Sequence, residues 1–282
     1  MEYFDAHAHY DDEKFDIDRE ELIQKIYAAN VTKIVSAGYS LEGSKRGIEL
    51  SEKYPFIYTT VGISPNDINE NYQDEIKELD KILSTYFASK SKIVECTKNA
   101  KNEQENKSIK SAKIVAVGEI GLDYHYDTDR EMQKNAFNLQ INLANKYNLP
   151  IVIHTREAVM DTLQILKQNP VKNAGIFHCC PFNRELVKEA LKLGFYISFG
   201  GTCTFKNAKN AEEIVKMVPN DKFVIETDSP YLAPEPVRGT RNDSRNLKYV
   251  VKKIAEFKSE TEENIAKMSF NNACNAYGIK HI

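Results

Sequence analysis

Residues 113–124 read KIVAVGEIGLDY, an alternating apolar run that is followed by a glutamate, Glu119. Short runs rich in β-branched residues are typical of strands that are buried on both faces of a parallel sheet. Four similar runs also carry histidine or carboxylate at their ends: YFDAHAHY (3–10), PIVIHTREA (150–158), AGIFHCC (174–180) and FVIETDSPYL (223–232). A closed parallel barrel brings strand ends from all along a chain to one point. The five segments therefore predict a (β/α)8 TIM barrel.

Strand-like and helix-like segments alternate along the whole chain, as expected of βα units. NRELVKEALKLG (183–194) is typical of the intervening helices, because its apolar residues recur at helical spacing and Gly194 ends it. A further helix is predicted from about Thr261 to Gly278, opened by a Ser259–Glu262 capping box. The sequence thus predicts one TIM-barrel domain over residues 1–282 with an additional C-terminal helix. The eight predicted strands are 3–8, 33–38, 57–62, 113–119, 150–154, 174–178, 195–199 and 222–227.

The size and charge of the chain are consistent with an α/β barrel. Its 282 residues, 41% of them apolar, match a fold that runs to roughly 250 residues or more. A net charge of −3 argues against a generally basic nucleic-acid binder, although it permits a local basic rim. Residues 91–112 form a basic polar insertion before the fourth strand. We interpret it as a solvated insertion or helix end, with a flap over a polyanion as the alternative.

The sequence also suggests where the protein works. No apolar stretch approaches the roughly 20 residues that span a bilayer, and the start MEYFDAHAHY lacks the features of a signal peptide. The five cysteines form no CxxC pair, which is typical of reduced thiols. We interpret Cys179 and Cys180 as small buried residues rather than metal ligands. We therefore expect a cytoplasmic protein with no membrane association, and no obligate protein partner is evident.

Six side chains at these strand ends are of the kinds that bind divalent metals. The first two histidines are two residues apart in an extended segment, so both imidazoles can point to one side and bind one ion. Glu119 directly follows a buried strand, where a carboxylate is costly unless it is paired or binds a cation. We predict that it bridges two ions. The six predicted ligands are His7, His9, Glu119, His154, His178 and Asp228.

Two further roles concern the reaction and its substrate. Asp228 is predicted to bind the first ion and to orient or deprotonate the attacking water, with a turn or helix cap as the alternative. Arg156, Arg238 and Arg241 follow the fifth and eighth strands, and guanidinium groups bind phosphate bidentately. We predict that these arginines bind a phosphodiester, unless they pair with carboxylates on loops. Asp5 is predicted to support a ligand or to make a buried polar contact.

These motifs resemble the TatD family of metal-dependent deoxyribonucleases over nearly the whole chain. The similar segments include FDAHAH, VGEIGLDY, VIHTREA, ISFGG and ETDSPYLAPEPVRGTRN. The resemblance implies a DNase, often a 3′→5′ exonuclease, with Mg²⁺ or Mn²⁺ as the usual cofactor. From the ligand types, Zn²⁺ or Fe²⁺ are alternatives. The resemblance implies His7, His9, Glu119 and Asp228 around one ion, and Glu119, His154 and His178 around the other.

Three segments differ from the family pattern. Ser64 and Asn66 stand where the family commonly has the two histidines of a GxHPH-like segment. His178 is followed by Cys-Cys-Pro-Phe in place of an HCFSG-like segment, and Arg241 is followed by Asn-Asp-Ser in place of RNEP. We predict a DNA hydrolase with Asp228 and Glu119 as catalytic residues. The alternative is a metal-dependent hydrolase of another ester, such as an aminoacyl-RNA ester or a lactone; a non-catalytic barrel would be expected to have lost ligands.

Overall fold

The computed structural model describes residues 1–99 and 112–280, with backbone only for residues 91–99. Eight parallel strands follow one another in sequence order, each paired with the next. This order confirms the predicted (β/α)8 barrel. The strands are β1 Tyr3–Ala8, β2 Val31–Ser36, β3 Ile57–Val61, β4 Ile114–Asp123, β5 Ile151–Arg156, β6 Ile176–Phe177, β7 Tyr196–Phe199 and β8 Phe223–Ile225.

Helices connect the strands and cover the outside of the barrel. A large apolar core lies between the helices and the outward-facing strand residues. A smaller core joins Phe4, Val35 and Val224 to the last helix, α9, whose Tyr277 hydroxyl donates to Ala6 O at 2.7 Å. The α-helices are α1 Arg19–Ala28, α2 Leu41–Lys53, α3 Tyr72–Asn99, α4 Arg130–Tyr147, α5 Val159–Gln168, α6 Arg184–Lys192, α7 Ala211–Met217, α8 Leu247–Lys258 and α9 Glu262–Tyr277.

The additional C-terminal helix is present, but its predicted capping box is wrong. Ser259 has a left-handed backbone (φ 54°) and ends α8 rather than opening α9. A residue in that conformation terminates a helix, whereas an N-cap residue is extended. Thr261 is extended and its hydroxyl accepts a hydrogen bond from Asn264 N at 3.2 Å. Thr261 is therefore the N-cap of α9.

Strand β4 extends farther than predicted and contains Glu119 within it. The pairing between β4 and β5 is irregular between Val117 and Ile120, and the strand continues to Asp123. Such an irregularity re-aims a side chain relative to the regular pleat. Glu119 is buried, and Asp123 four residues later is fully buried. One strand thus brings two carboxylates to the end of the barrel.

The two ends of the sheet meet between β1 and the segment after β8. Asp228 N donates to His7 O at 3.0 Å, and His9 N donates to Ser229 O at 2.7 Å. Asp5 is fully buried and accepts hydrogen bonds from Thr227 N, the Thr227 hydroxyl and the Ser244 hydroxyl. Burial raises the pKa of Asp5 to about 7. Of the two predicted roles, Asp5 therefore makes a buried polar contact across this closure.

The remaining expectations concern the insertion and the environment of the protein. Residues 91–99 continue helix α3, whereas residues 100–111 lie outside the described residues, so the flap remains a prediction.

In the described chain, no helix has the length and apolar character needed to cross a membrane. The four cysteines whose side chains are described are free thiols: Cys179, Cys180, Cys203 and Cys274.

Candidate metal centre

The barrel brings all six predicted ligands to the end at which its strands finish. His7 lies near the end of β1 and His9 directly follows it. Glu119 and His154 lie within β4 and β5. His178 directly follows β6, and Asp228 comes three residues after β8. Because all strands are parallel, their carboxyl ends share one face, which is where such barrels place their active sites.

The first group of ligands surrounds one oxygen of Glu119. The Nε2 atoms of His7 and His9 lie 3.1 Å apart. Their distances to Glu119 Oε2 are 3.3 and 3.5 Å. Asp228 Oδ1 lies 3.6 Å from His7 Nε2 and 3.4 Å from His9 Nε2. Two nitrogens and two carboxylate oxygens therefore converge on one point.

The second group surrounds the other oxygen of the same carboxylate. Glu119 Oε1 lies 2.9 Å from His154 Nδ1 and 3.3 Å from His178 Nε2. The two histidine nitrogens are 3.1 Å apart. Each oxygen of Glu119 thus faces a different group, so this carboxylate is placed between two potential cation sites.

These separations match those of ligands around one metal ion. Metal–nitrogen and metal–oxygen bonds of about 2.0–2.1 Å place neighbouring ligand atoms roughly 3.0–3.4 Å apart in octahedral or tetrahedral geometry. The nitrogen and oxygen atoms of both groups are separated by 2.9–3.6 Å. Imidazole and carboxylate together suit Mn²⁺, Zn²⁺ or Fe²⁺, and the carboxylates also suit Mg²⁺. The residues present therefore fit the predicted pair of divalent ions.

Hydrogen bonds on the far side of two rings hold the histidines in orientation. His9 Nδ1 lies 3.0 Å from Ala37 O, which leaves its Nε2 lone pair for the centre. His154 Nε2 lies 2.9 Å from Asp123 Oδ2, which leaves its Nδ1 lone pair. A metal-binding histidine commonly donates its other N–H to a carbonyl or carboxylate in this way.

Two supporting carboxylates were missed in the sequence. Asp123 lies four residues after Glu119 on the same strand. Side chains two or four residues apart on a strand point to the same side, so this spacing could have indicated that Asp123 lies near the site. Glu226 is fully buried and accepts from Cys179 N and the Ser198 hydroxyl, both at 2.5 Å. Its Oε1 lies 3.7 Å from His178 Nδ1. Glu226 stands two residues before Asp228, so the same spacing places it near the end of the eighth predicted strand, whereas its contacts with Cys179 and Ser198 depend on the tertiary structure.

The electrostatics of the centre favour cations. Burial raises the pKa of Glu119, but His178, His154 and His7 outweigh it and hold this pKa well below its usual range. Burial lowers the pKa of His9, yet Asp228 and Glu119 raise it to about 9. Without ions, the centre thus pairs ionised carboxylates with protonated imidazole. Binding of a metal would displace that proton, as is general for histidine ligands.

A cavity of about 910 Å³ opens over the centre. Arg156 lines it, with its guanidinium 5.6 Å from the Tyr126 ring centre. Arg238 and Arg241 lie outside the lining. Arg241 binds Asp18 at 2.5 and 2.8 Å, and Arg238 lies 3.9 Å from Glu235. The structure thus brings only Arg156 of the three to the cavity, and the others pair with loop carboxylates, which was the alternative interpretation.

The two residues that replace the family's histidines also line this cavity. The Ser64 hydroxyl donates to Asp67 Oδ2 at 2.7 Å. Asn66 Nδ2 donates to Asp123 Oδ2 at 3.2 Å. Asn66 therefore contacts the same carboxylate oxygen that orients His154. The altered loop still supports the centre, although through neutral side chains.

Comparison with known proteins agrees with this geometry. The sequence profile of the family "TatD related DNase" matches residues 4–278. The uncharacterised metal-dependent hydrolase YabD of Bacillus subtilis is 40% identical over 278 residues, covering 98% of this chain and 99% of the relative. The uncharacterised metal-dependent hydrolase YcfH of Escherichia coli K12 is 30% identical over 280 residues, covering 98% and 95%. The crystal structure of YjjV, a TatD homologue from E. coli K12, superposes with a TM-score of 0.84 at 25% identity, covering 99% and 98%.

Proposed function

Because the chain belongs to the TatD-related DNase family and is a metal-dependent hydrolase, we propose that it hydrolyses DNA phosphodiester bonds with two divalent ions. The main support for this proposal is the placement of Glu119, since its two oxygens face two groups of ligands and Arg156 lines the cavity over them. Divalent ions bound there would lower the pKa of a water molecule and offset charge on phosphate oxygens. Mg²⁺ or Mn²⁺ are the proposed ions.

Asp228 is the proposed acceptor of the proton from the attacking water. Its carboxylate lines the cavity, and its side chain is only 14% exposed. Burial raises the pKa of Asp228, but His9, His178 and His7 lower it below its usual value, so the carboxylate is ionised near neutral pH. An ionised carboxylate at the mouth of the centre can orient a water molecule by accepting its hydrogen bond.

Arg156 is the proposed contact for the phosphate. It follows His154 on β5 and is the arginine that reaches the cavity among the three predicted from the sequence. A guanidinium group offers two parallel N–H donors to two phosphate oxygens and keeps its charge at all physiological pH values. It would therefore hold the scissile group beside Glu119 and stabilise the negative charge that develops on it.

Three tyrosines of the lining are suited to nucleobases: Tyr39, Tyr126 and Tyr231. Aromatic rings stack on unpaired bases with little dependence on sequence. A cavity of about 910 Å³ is of the size that holds a small ligand rather than a length of duplex. We therefore propose that a single-stranded end enters the cavity, and that cleavage proceeds from the 3′ end as the family resemblance suggests.

Cleavage of an end-labelled single-stranded oligonucleotide with Mg²⁺ or Mn²⁺ tests the proposal. We expect laddering from the 3′ end that EDTA and His154→Ala both abolish. A phosphorothioate at the last 3′ linkage should block it, whereas one at the 5′ end should not.

Lys248→Ala is the control variant. Lys248 is exposed and lies outside the cavity lining, so this variant should cleave like the wild type. A protein that binds metal and leaves DNA intact while cleaving lactones or aminoacyl esters would contradict the proposal and support the alternative hydrolase.

A further inference from the structure

A second cavity lies at the opposite end of the barrel, where the strands begin. Its volume is about 830 Å³. Residues near the start of β3, β4 and β7 line it, together with residues of α3 and of the segment that ends α9. Sites for small molecules occupy roughly 300–1,000 Å³. This cavity therefore has the size of a small-molecule site, and the metal centre does not use it.

Four lysines give this cavity a positive charge: Lys90, Lys113, Lys172 and Lys280. None of the described residues in its lining is a carboxylate. Glu52 and Asp221 act electrostatically on Lys113 and on Tyr196, but both lie outside the lining. A concentration of positive charge in a chain of net charge −3 favours an anionic ligand.

The contacts of these lysines are with neutral groups. Lys113 Nζ donates to Ser51 O, and Lys172 Nζ donates to Asn145 O at 3.0 Å. Lys90 Nζ lies 5.5 Å from the centre of the Tyr86 ring. An ammonium group has three donors, so one carbonyl contact leaves donors for a ligand. Among the described residues, no carboxylate forms an ion pair with Lys90, Lys113 or Lys172, and an anion bound between them would pair with their charges.

Aromatic rings lie beside the lysines. Tyr58, Tyr86 and Tyr196 are partly exposed and line the cavity. Aromatic faces stack on nucleobases, and lysines bind phosphate as point charges. A ligand that uses both features has an aromatic ring and a phosphate. Inorganic phosphate would make no stacking contact with the rings, and an apolar ligand would not use the charge of the lysines.

We propose that this cavity binds a nucleoside monophosphate, with the phosphate on the lysines and the base against the tyrosines. Strand β4 separates it from the metal centre, because Val115 lines one cavity and Glu119 the other. Four residues of strand correspond to roughly 13 Å. A nucleotide here therefore lies apart from the metal ligands, and its binding does not depend on the proposed DNase reaction.

Calorimetric titration of the full-length protein with dAMP in EDTA tests the proposal. We expect saturable binding of one dAMP per chain, weakened about 5- to 10-fold by Lys90→Gln and by Lys172→Gln, since each removes a charged donor. Lys248→Gln is the matched control, because Lys248 is also exposed, lies 5.0 Å from the Tyr249 ring centre and is outside the cavity. Its affinity should equal that of the wild type.

Smaller probes measure the contributions of the phosphate and of the base to the affinity. Deoxyribose 5-phosphate and inorganic phosphate should bind at least tenfold more weakly than dAMP, because they lack the base. Equal affinity of inorganic phosphate and dAMP would overturn the nucleotide assignment. Absence of saturable binding, or binding that neither lysine substitution weakens, would overturn the site itself.

Discussion

Asp123 and His154 are joined at the open end of the barrel, where His154 Nε2 lies 2.9 Å from Asp123 Oδ2. The other nitrogen of the same ring, Nδ1, lies 2.9 Å from Glu119 Oε1. Strand β4 therefore supplies both the carboxylate that faces the two ligand groups and the carboxylate that orients one of the histidines. Since Asp123 is fully buried, its carboxylate depends on protein hydrogen-bond partners, and His154 is one of them.

Asp123→Ala is expected to weaken metal binding at the second group by roughly 10- to 100-fold, the usual effect of losing a carboxylate behind a histidine ligand. Calorimetric titration with Mn²⁺ measures it. Asp127→Ala, at an exposed position of the segment that follows β4, should leave the affinity unchanged. Wild-type affinity in Asp123→Ala, with an intact fold, would show that the hydrogen bond does not orient His154.

The number of bound ions should depend on which ligand is lost. Removal of His154 should leave one ion at the first group, formed by His7, His9, Glu119 and Asp228, because that group does not use His154. Glu119→Gln should impair both groups, since each oxygen of the carboxylate faces one of them. Metal analysis of the purified variants counts the ions. Two ions in Glu119→Gln would contradict the bridging role.

Divalent ions should stabilise the folded protein. A ligand that binds only the folded state at 100 times its Kd contributes about 2.7 kcal/mol. In a domain of this size that corresponds to an increase in Tm of roughly 5–10 °C. Thermal unfolding with Mn²⁺ and with EDTA measures the difference, which His178→Ala should reduce. The same Tm in both conditions would argue against a centre built from these side chains.

Arg156 and Arg241 should differ in their effect on catalysis. Arg156→Gln is expected to lower kcat/KM for DNA by 10-fold or more, because its guanidinium lines the cavity. Arg241→Gln should leave kcat/KM unchanged and lower the free energy of unfolding by no more than about 1 kcal/mol, as its partner is Asp18 on the surface. Steady-state kinetics and urea unfolding distinguish the two. A decrease in kcat/KM for Arg241→Gln as large as that for Arg156→Gln would support the predicted contact between Arg241 and the substrate.

Gly121 is a glycine on which we expect the site geometry to depend. A Cβ there would lie 2.0 Å from His154 O, on a backbone with φ +139°. Gly121→Ala is therefore expected to destabilise the fold by roughly 3 kcal/mol or more. Gly278→Ala, also at positive φ but with nothing within 4 Å, should cost only about 1–2 kcal/mol. If both variants lost the same free energy of unfolding in urea, backbone strain rather than the contact with His154 O would explain the need for glycine at position 121.

The repeated strand pattern and the residue types at strand ends could be predicted from the sequence. Apolar alternation is a local property, so KIVAVGEIGLDY and the runs like it identify strands without knowledge of their neighbours. Once eight strands alternate with helices, parallel pairing follows, and with it the meeting of His7, His154 and His178 at one face. The fold and the six candidate ligands could therefore be predicted from the sequence.

The tertiary structure decided the distances between these side chains and the contacts that support them. The irregular pairing at Glu119 aims one oxygen at each group, and the register of β4 against β5 brings Asp123 to His154. Packing also directs Arg241 to Asp18 rather than to the cavity. These contacts join elements that are far apart in sequence, and they depend on register and side-chain packing, which local periodicity does not encode. Periodicity therefore placed the ligands at one end of the barrel, and register and packing determined their geometry.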